Sequence, residues 1–458
     1  MNFKPYTLIF GLGLSWPAFS QSRSLTLDEA YGIAMKEATA VLKAGSDVDV
    51  RGEQVIQSYL QWLPNLTVQG TYNQNRGRNY LTTAVPTTVH GASLGATYQI
   101  GSVLNIFNGL NDISAYESIR KKKFAADMTL ERSRQQVALD IAQTYYQVIL
   151  DAKVVAISEK NFRTSQDRQK LLEAQSQVGT RSLADVFRQQ AQTSVDESTL
   201  ISARNRFETN RITLLKKLRM DPRAPVDLVV PTLQQDLNFI KTEQQSNMDE
   251  LVNQALNNRQ DLKASDSIAS AGRNDVSVAE APYYPRLDFV ATYGALGRDI
   301  DFQRVNGAEV TPFAQDSIGE QISENVNFTY GLAVSWNIFD RGLTRSSVSV
   351  ARGTAYRAKI DSEDYRNQVI GEVKQAVGDL NATAQQLIAS QTGLTAAQKS
   401  FEVSEGRYSV GSLNFIDLSA AQIALFQAET TFAQSSISYE LQKRALDFVL
   451  GIPLGLPQ

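Results

Sequence analysis

The chain has no cysteine, a single histidine and only 12 prolines among its 458 residues. Lack of cysteine excludes disulfides, thiol catalysis, Fe–S or cysteine-zinc sites, and an N-terminal lipid anchor on cysteine. His90 cannot build a metal cluster alone, so neither a metal nor a cofactor is expected. Charge is close to balance, at a formal −3, and no polybasic surface points to nucleic acid. Away from the N-terminus no run approaches the roughly 20 apolar residues of a membrane-spanning helix. Nucleophile motifs such as Gly-x-Ser-x-Gly and phosphate-binding loops are missing too. No catalytic residue is expected, and any energy for work must come from a partner.

The N-terminus reads as a secretory signal over residues 1–20. Lys4 supplies the positive charge, Tyr6 to Phe19 is mostly apolar, and Ala18-Phe19-Ser20 suits cleavage before Gln21. An exported protein follows, with an uncleaved anchor as the rival reading.

The remainder says the same thing twice. Asp28 and Asp249, like Pro64 and Pro285, are 221 positions apart. Phrases match there: Pro64-Asn65-Leu66-Thr67-Val68-Gln69-Gly70-Thr71-Tyr72 against Pro285-Arg286-Leu287-Asp288-Phe289-Val290-Ala291-Thr292-Tyr293. The register then shifts, and Ile106-Phe107, Val178-Gly179 and Asp185 recur 232 positions on as Ile338-Phe339, Val410-Gly411 and Asp417. A period this long is a whole module rather than a solenoid unit. The shift falls between two β-like segments and marks an insertion-tolerant loop. Residues 21–234 and 235–458 are the two expected repeats. Each holds a helix, two strands, a long helix, a tip turn and a return helix.

From Leu25 to about Leu63 the apolar spacing is helical, and Pro64 ends it. Strands are expected over about 65–75 and 92–107, with polar Asn73 to Gly91, including Pro86 and His90, as a loop. In the second repeat they fall at about 286–297 and 325–339. There Val326, Phe328, Tyr330, Leu332, Val334, Trp336 and Ile338 alternate with small or polar residues. Alternation for that length suits a strand crossing an outer membrane, which needs about 9–11 residues. Gly109 to Val178 and Gly342 to Val410 contain no proline. Each is about 70 residues, roughly 105 Å of helix. Return helices from about Leu183 to Met220 and Phe415 to Leu450 are half as long. Stacked end to end with the proline-ended helices, they would match the long ones. Pro222, Pro225 and Pro231 mark Asp221 to Asn247 as a connector between the half-length helices.

Four strands per chain cannot sit in lipid as an open sheet, because edge amides would go unsatisfied. Strands must be pooled, 8 in a dimer or 12 in a trimer, against a minimum of about 8 for a barrel. Trp62, Tyr283, Phe107 and Phe339, at equivalent strand ends, are candidates for a membrane-interface girdle. Core aromatics at a helix–sheet junction are the plainer alternative. Arg120-Lys121-Lys122-Lys123 reads as a solvated helix face, with adaptor or lipid-headgroup contact as the minor alternative.

These residues resemble the TolC family of outer-membrane channels over essentially all of Leu25 to Leu450. The resemblance rests on the duplicated proline-led phrases, the Ile-Phe-(Asn/Asp)-x-Gly exits and two tip turns. The turns are Val178-Gly179-Thr180-Arg181-Ser182-Leu183-Ala184-Asp185 and Tyr408-Ser409-Val410-Gly411-Ser412-Leu413-Asn414-Phe415-Ile416-Asp417. It implies an α+β membrane protein: a homotrimeric 12-stranded β-barrel in outer-membrane lipid, continued by a periplasmic coiled-coil barrel of helices. Such a duct takes cargo from an inner-membrane pump or ABC transporter through a periplasmic adaptor, in efflux or type I secretion. Val178, Gly179, Thr180, Leu183, Val410, Gly411, Ser412 and Leu413 would form the tip that docks the adaptor. Asp185 and Tyr408 match one of the family's gate links. Leu413 stands where another link has arginine, and Ala184 where it has a hydroxyl, so that link is not expected. Asp417 matches an acidic constriction whose second acidic position is Ala420. One ring of three carboxylates is therefore expected; helix capping is the structural alternative for both aspartates. A periplasmic coiled-coil adaptor or scaffold is the rival function. The long alternating strands count against it, and a self-closing diffusion porin would need many more strands.

Overall fold

Capping chemistry starts the first helix. A computed structural model describes residues 23–82, 86–223, 226–229, 247–310 and 316–453. The signal reading over residues 1–20 and most of the proline-rich connector lie outside these residues. Strand β1 (Arg23–Leu25) leads to helix α1 (Leu27–Glu37). Thr26 Oγ1 accepts from the Glu29 amide at 3.2 Å while Glu29 accepts from the Thr26 amide at 3.1 Å, a reciprocal capping box. Helix α2 (Thr39–Leu60) follows after a break at Ala38, whose backbone is extended. Strands β2 (Thr67–Thr82) and β3 (Pro86–Phe107) then precede helix α3 (Asn111–Gln177) and its return α4 (Leu183–Lys217). Strand β4 (Val226–Leu228) pairs in parallel with β1.

The second half repeats this order. Helices α5 (Met248–Asn258) and α6 (Gln260–Glu280) are separated by extended Arg259. Strand β5 (Arg286–Val305), the short β6 (Ala308–Val310), helix α7 (Ile318–Glu324) and strand β7 (Val326–Ser335) follow. Helix α8 (Leu343–Ser409) and its return α9 (Phe415–Val449) complete the chain. Both long helices have 67 residues and both returns 35. Among the described residues no helix is long and apolar enough to cross a membrane.

Several expectations need correction. Within the expected loop, Asn73 to Thr82 and Pro86 to Gly91 are strand: β2 and β3 pair without interruption from Thr67↔Gly101 to Thr82↔Pro86. Backbone hydrogen bonding holds that hairpin where apolar alternation has ceased. His90 is therefore a strand residue, between Arg78 and Arg304. Strand β5 likewise outruns its expected end near 297. Strand β7 stops at Ser335 although alternation continues to Ile338. There the Trp336 indole donates to the Tyr283 carbonyl at 3.1 Å, tying the chain to the helix end. Each proline-ended helix is broken, at Ala38 and at Arg259, positions related by the same 221-residue offset. The return helix α9 consequently ends beside a break: a Cβ on Gly451 would lie 3.0 Å from the Arg259 nitrogen.

The chain divides into two compact units that interleave along the sequence. One comprises residues 1–43, 132–259 and 369–458 and is built on helices. Its core is rich in small residues (Ala138, Ala142, Val148, Ala203, Val373, Ala376), which let helices approach closely. Fully buried Tyr145 donates toward the Leu25 and Val229 carbonyls at 2.8 and 2.6 Å, fastening the β1–β4 pair. The other unit, residues 44–131 and 260–368, contains the main sheet.

That sheet is antiparallel, in the order β2-β3-β5-β7, with β6 a hairpin extension of β5. Register places Val68, Tyr98, Ile100, Leu104, Phe289, Tyr293, Phe328, Tyr330 and Leu332 on one face. Phe328, Tyr330, Leu332 and Val334 are each more than 60% exposed. A large apolar surface is uncovered there, which a solitary water-soluble protein does not tolerate. The outer edges of β2 and β7 have no strand partner among the described residues.

Candidate functional site

A long helix must terminate its last carbonyls before it can reverse, and the two tips do so identically. Gly179 and Gly411 take left-handed φ values of 75° and 77°. Their amides donate to Ser176 and Tyr408 carbonyls, both at 3.0 Å. The following Thr180 and Ser412 amides reach back to Gln175 and Arg407 carbonyls, both at 2.9 Å. This is a Schellman termination, which wants glycine at the left-handed position. The Thr180 and Ser412 hydroxyls donate to the same two carbonyls, at 2.8 and 3.0 Å. Hence Val-Gly-(Thr/Ser): glycine supplies the turn and the hydroxyl doubles its final bond.

Ser182 and Asn414 then cap the return helices, accepting from the Ala184 amide at 3.1 Å and the Asp417 amide at 2.8 Å. Asp185 and Asp417 are not the caps. Both lie three residues after the cap, in the first turn, where the helix dipole favours a carboxylate. Asp185 is half-buried and 3.5 Å from Arg188; Asp417 is exposed.

Leu172, Val186, Tyr408, Phe415 and Leu418 make the apolar cluster inside the tips, flanked by Phe401 and Leu413. Residues of both halves therefore share one small core. Arg181 lies over the Tyr408 ring at 4.5 Å. Burial pushes the Tyr408 phenol up, while nearby Arg181 opposes the shift and Asp185 adds to it. Tyr408 and Asp185 are thus electrostatic neighbours, but the buried Tyr408 hydroxyl has no hydrogen-bond partner among the described residues. Leu413 is packed against the cluster, whereas Val178, Leu183 and Val410 are 65–79% exposed.

A polar network above this cluster escaped the sequence reading. Arg168 of α3, 9% exposed, donates to Gln422 of α9 and lies 3.7 Å from Glu405 of α8. Gln422 donates to Asn161 at 2.9 Å. Beside it, Ser165 donates to Asp196, and Gln189 donates to the Ser165 carbonyl at 3.1 Å. Lys160 meets Glu429 at 3.1 Å nearer the surface. Burial lowers the Arg168 pKa, with Glu405 acting against that shift. Only the packing of four helices brings these positions together, so no spacing signal announces them.

In the sheet-bearing unit, Trp62 contacts the rings of Tyr59 and Tyr116, both at 5.4 Å. Trp62 and Phe107 are partly exposed, Tyr283 is half exposed, and Phe339 is 84% exposed beyond the end of β7. Nearby Tyr284 and Trp336 enlarge this aromatic set. The basic run is largely paired: Arg120 with Glu117, Lys122 with Asp275 and Lys123 with Asp127, at 2.8–3.2 Å.

A sequence profile of the outer membrane efflux protein family matches residues 30–218 and 251–452. The chain is 21% identical over 444 residues to outer membrane protein TolC of Escherichia coli (strain K12), covering 96% of this chain and 85% of that protein. It is 22% identical over 414 residues to outer membrane efflux protein BepC of Brucella suis, covering 89% and 82%. Among solved structures, outer membrane protein VceC of Vibrio cholerae superposes with a TM-score of 0.76 at 16% identity, covering 93% of this chain and 96% of that one. Fold, profile and relatives agree with the resemblance read from the sequence: the chain belongs to the outer membrane efflux protein family, that of TolC.

Proposed function

We propose that the protein is the outer-membrane exit duct of a tripartite efflux pump or type I secretion system, working as a homotrimer. One observation carries the reading: a sheet of four main strands has, among the described residues, two unpaired edges and an exposed apolar face. In lipid such edges leave backbone groups unsatisfied at several kcal/mol each, so the sheet must be completed by other copies. Three copies give 12 strands, with β2 of one chain beside β7 of the next. The equal helix lengths and identical tips support an internal duplication, which would place six similar helical hairpins around one axis.

Transport through this duct is passive. A periplasmic adaptor, bound at the exposed Val178, Leu183 and Val410 and the turns between them, links it to an inner-membrane pump or ABC transporter. Adaptor binding biases the tip helices toward an open arrangement. Tyr408, Arg181 and Asp185 hold the tips together, and three copies of Asp417 form a carboxylate ring that favours cations. Trp62, Phe107, Tyr283 and Phe339 mark the membrane interface.

Fractionation and cross-linking test this directly, because no native cysteine interferes. Cysteine pairs scanned along β2 and β7 should yield disulfide-linked outer-membrane species ending at three chains. A soluble periplasmic monomer would refute the duct. Gene deletion should then raise drug susceptibility or remove proteins from the culture medium.

A further inference from the structure

The apolar face of the sheet ends in a basic cluster that the duct function does not use. Register continues this face from Tyr72, Ala96 and Leu94 to Arg76 opposite Ala92, and Arg78 opposite His90. On the next strand Ala92 faces Phe302 and His90 faces Arg304. Side-chain contacts agree with the register: Arg76 lies over the Phe302 ring at 6.0 Å, and His90 meets the same ring at 5.5 Å. Arg76 and His90 therefore meet at one aromatic ring, with Arg78 and Arg304 on either side of His90 in the register.

Carboxylates are sparse where the cluster is centred. No Asp or Glu occurs from Thr67 to Phe107, a stretch that contains all of β2 and β3. Among the described residues neither Arg76 nor Arg78 has a carboxylate partner. Arg304 is 3.5 Å from Glu309 in an exposed pair, and Asp299 lies on the same face opposite Leu94. The site therefore centres on Arg76 and Arg78, with Arg304 at its flank.

Depth identifies the occupant. On β3 the apolar face runs from Leu104 to Leu94, a rise of about 33 Å along the strand and about 25 Å across a bilayer at ~40° tilt. That equals the apolar band of an outer-membrane barrel. Arg76 and Arg78 stand two and four residues beyond Leu94, about 5–10 Å past the hydrocarbon edge at the same tilt. Cations at that level, pointing outward, face lipid head groups rather than the lumen. Charge-assisted bonds from arginine forks suit phosphate oxygens.

We infer that Arg76, Arg78 and Arg304, with His90, form a binding site for the phosphorylated head group of an outer-leaflet lipid. The inference rests on the proposed insertion of this sheet in the outer membrane, with the apolar face toward lipid. The test uses full-length protein in phosphatidylcholine nanodiscs, titrated with lipid A that retains its phosphates and with dephosphorylated lipid A. Wild type should prefer the phosphorylated form. Each arginine near a charged surface contributes about 5-fold, so R76Q/R78Q should bind about 25-fold more weakly and lose the preference. R76K/R78K, keeping the charge, should retain much of it. Equal binding of both lipid forms by wild type would overturn the site, as would an unaltered R76Q/R78Q. Competition by inorganic phosphate as strong as by the lipid would overturn the lipid assignment. Outer-membrane fractionation of the same proteins separates these failures from failure of the duct reading, in which no variant reaches the membrane.

Discussion

Replacing Arg168 with methionine should open the tip, and its magnitude follows from the contacts. Arg168 is the α3 side chain that reaches both α9, through Gln422, and α8, through Glu405. Methionine retains an unbranched apolar stem, so packing against Phe401 and its neighbours is largely kept. The main loss is a charge-assisted hydrogen bond, about 1.5–3 kcal/mol. The Glu405 pair contributes little, since that carboxylate is more than half exposed. A partial offset comes from removing a buried cation, the same desolvation that lowers the Arg168 pKa. A net loss of about 2 kcal/mol from the linked arrangement multiplies the open-to-closed ratio by about 30. Tyr408→Phe should do the opposite or nothing, because the hydroxyl it deletes is buried without a bond among the described residues. Single-channel recording in planar bilayers measures both ratios on the same preparation. A wild-type open probability in Arg168→Met, or a greater opening by Tyr408→Phe than by Arg168→Met, would refute this role for Arg168.

Gly411→Ala should cost about 1 kcal/mol, from backbone strain alone, since the new Cβ meets nothing within 4 Å. Gly451→Ala has the same left-handed φ but abuts the Arg259 backbone at 3.0 Å, and should cost about 2–4 kcal/mol; equal melting shifts would contradict this. Burial raises Tyr31 and Tyr145 to about 12, so their stabilising contribution is complete below pH 10 and lost as pH rises toward 12. Thermal unfolding against pH should show that alkaline decline, about 2 kcal/mol per tyrosine, and its weakening in Tyr31→Phe. Asp417→Ala should reduce cation preference and divalent-ion block in bilayers; unchanged selectivity would leave Asp417 a first-turn helix residue only.

The helices and tips were legible because their signals are local. Proline absence and the Val-Gly-hydroxyl turn locate α3 and α8 to within two residues of the expected ends. Strand limits were legible only where one face meets an apolar medium. Past Tyr72 the sequence Asn73-Gln74-Asn75-Arg76 has no reason to alternate, yet the ladder continues because β3 pairs with the amides on its side. The helix breaks at Ala38 and Arg259 were invisible for another reason. Neither position carries proline or glycine, and at Arg259 a long-range ion pair to Glu372 accompanies the extended backbone. Tertiary partners decide such places, and a single sequence does not name them. The Arg168 network escapes for the same reason: Gln422, Glu405 and Gln189 reach it from three other helices.

Differences between the halves carry more about the tip than their likeness does. Backbone there is interchangeable: both turns make the same hydrogen bonds within 0.2 Å of one another. Two of the side-chain exchanges between them stand out, Ser176 for Tyr408 and Arg181 for Leu413. In the folded chain these are one contact rather than two accidents. Arg181 from the first half covers the ring of Tyr408 from the second, and Leu413 packs in the same cluster as that ring. Serine at both positions would leave Arg181 without a π face, and arginine at both would place a second cation beside the first in a half-buried cluster. A cation over an aromatic face gives about 0.5–2 kcal/mol. In the proposed duct, this asymmetric contact between two otherwise similar hairpins is the one that opening of the tip would release.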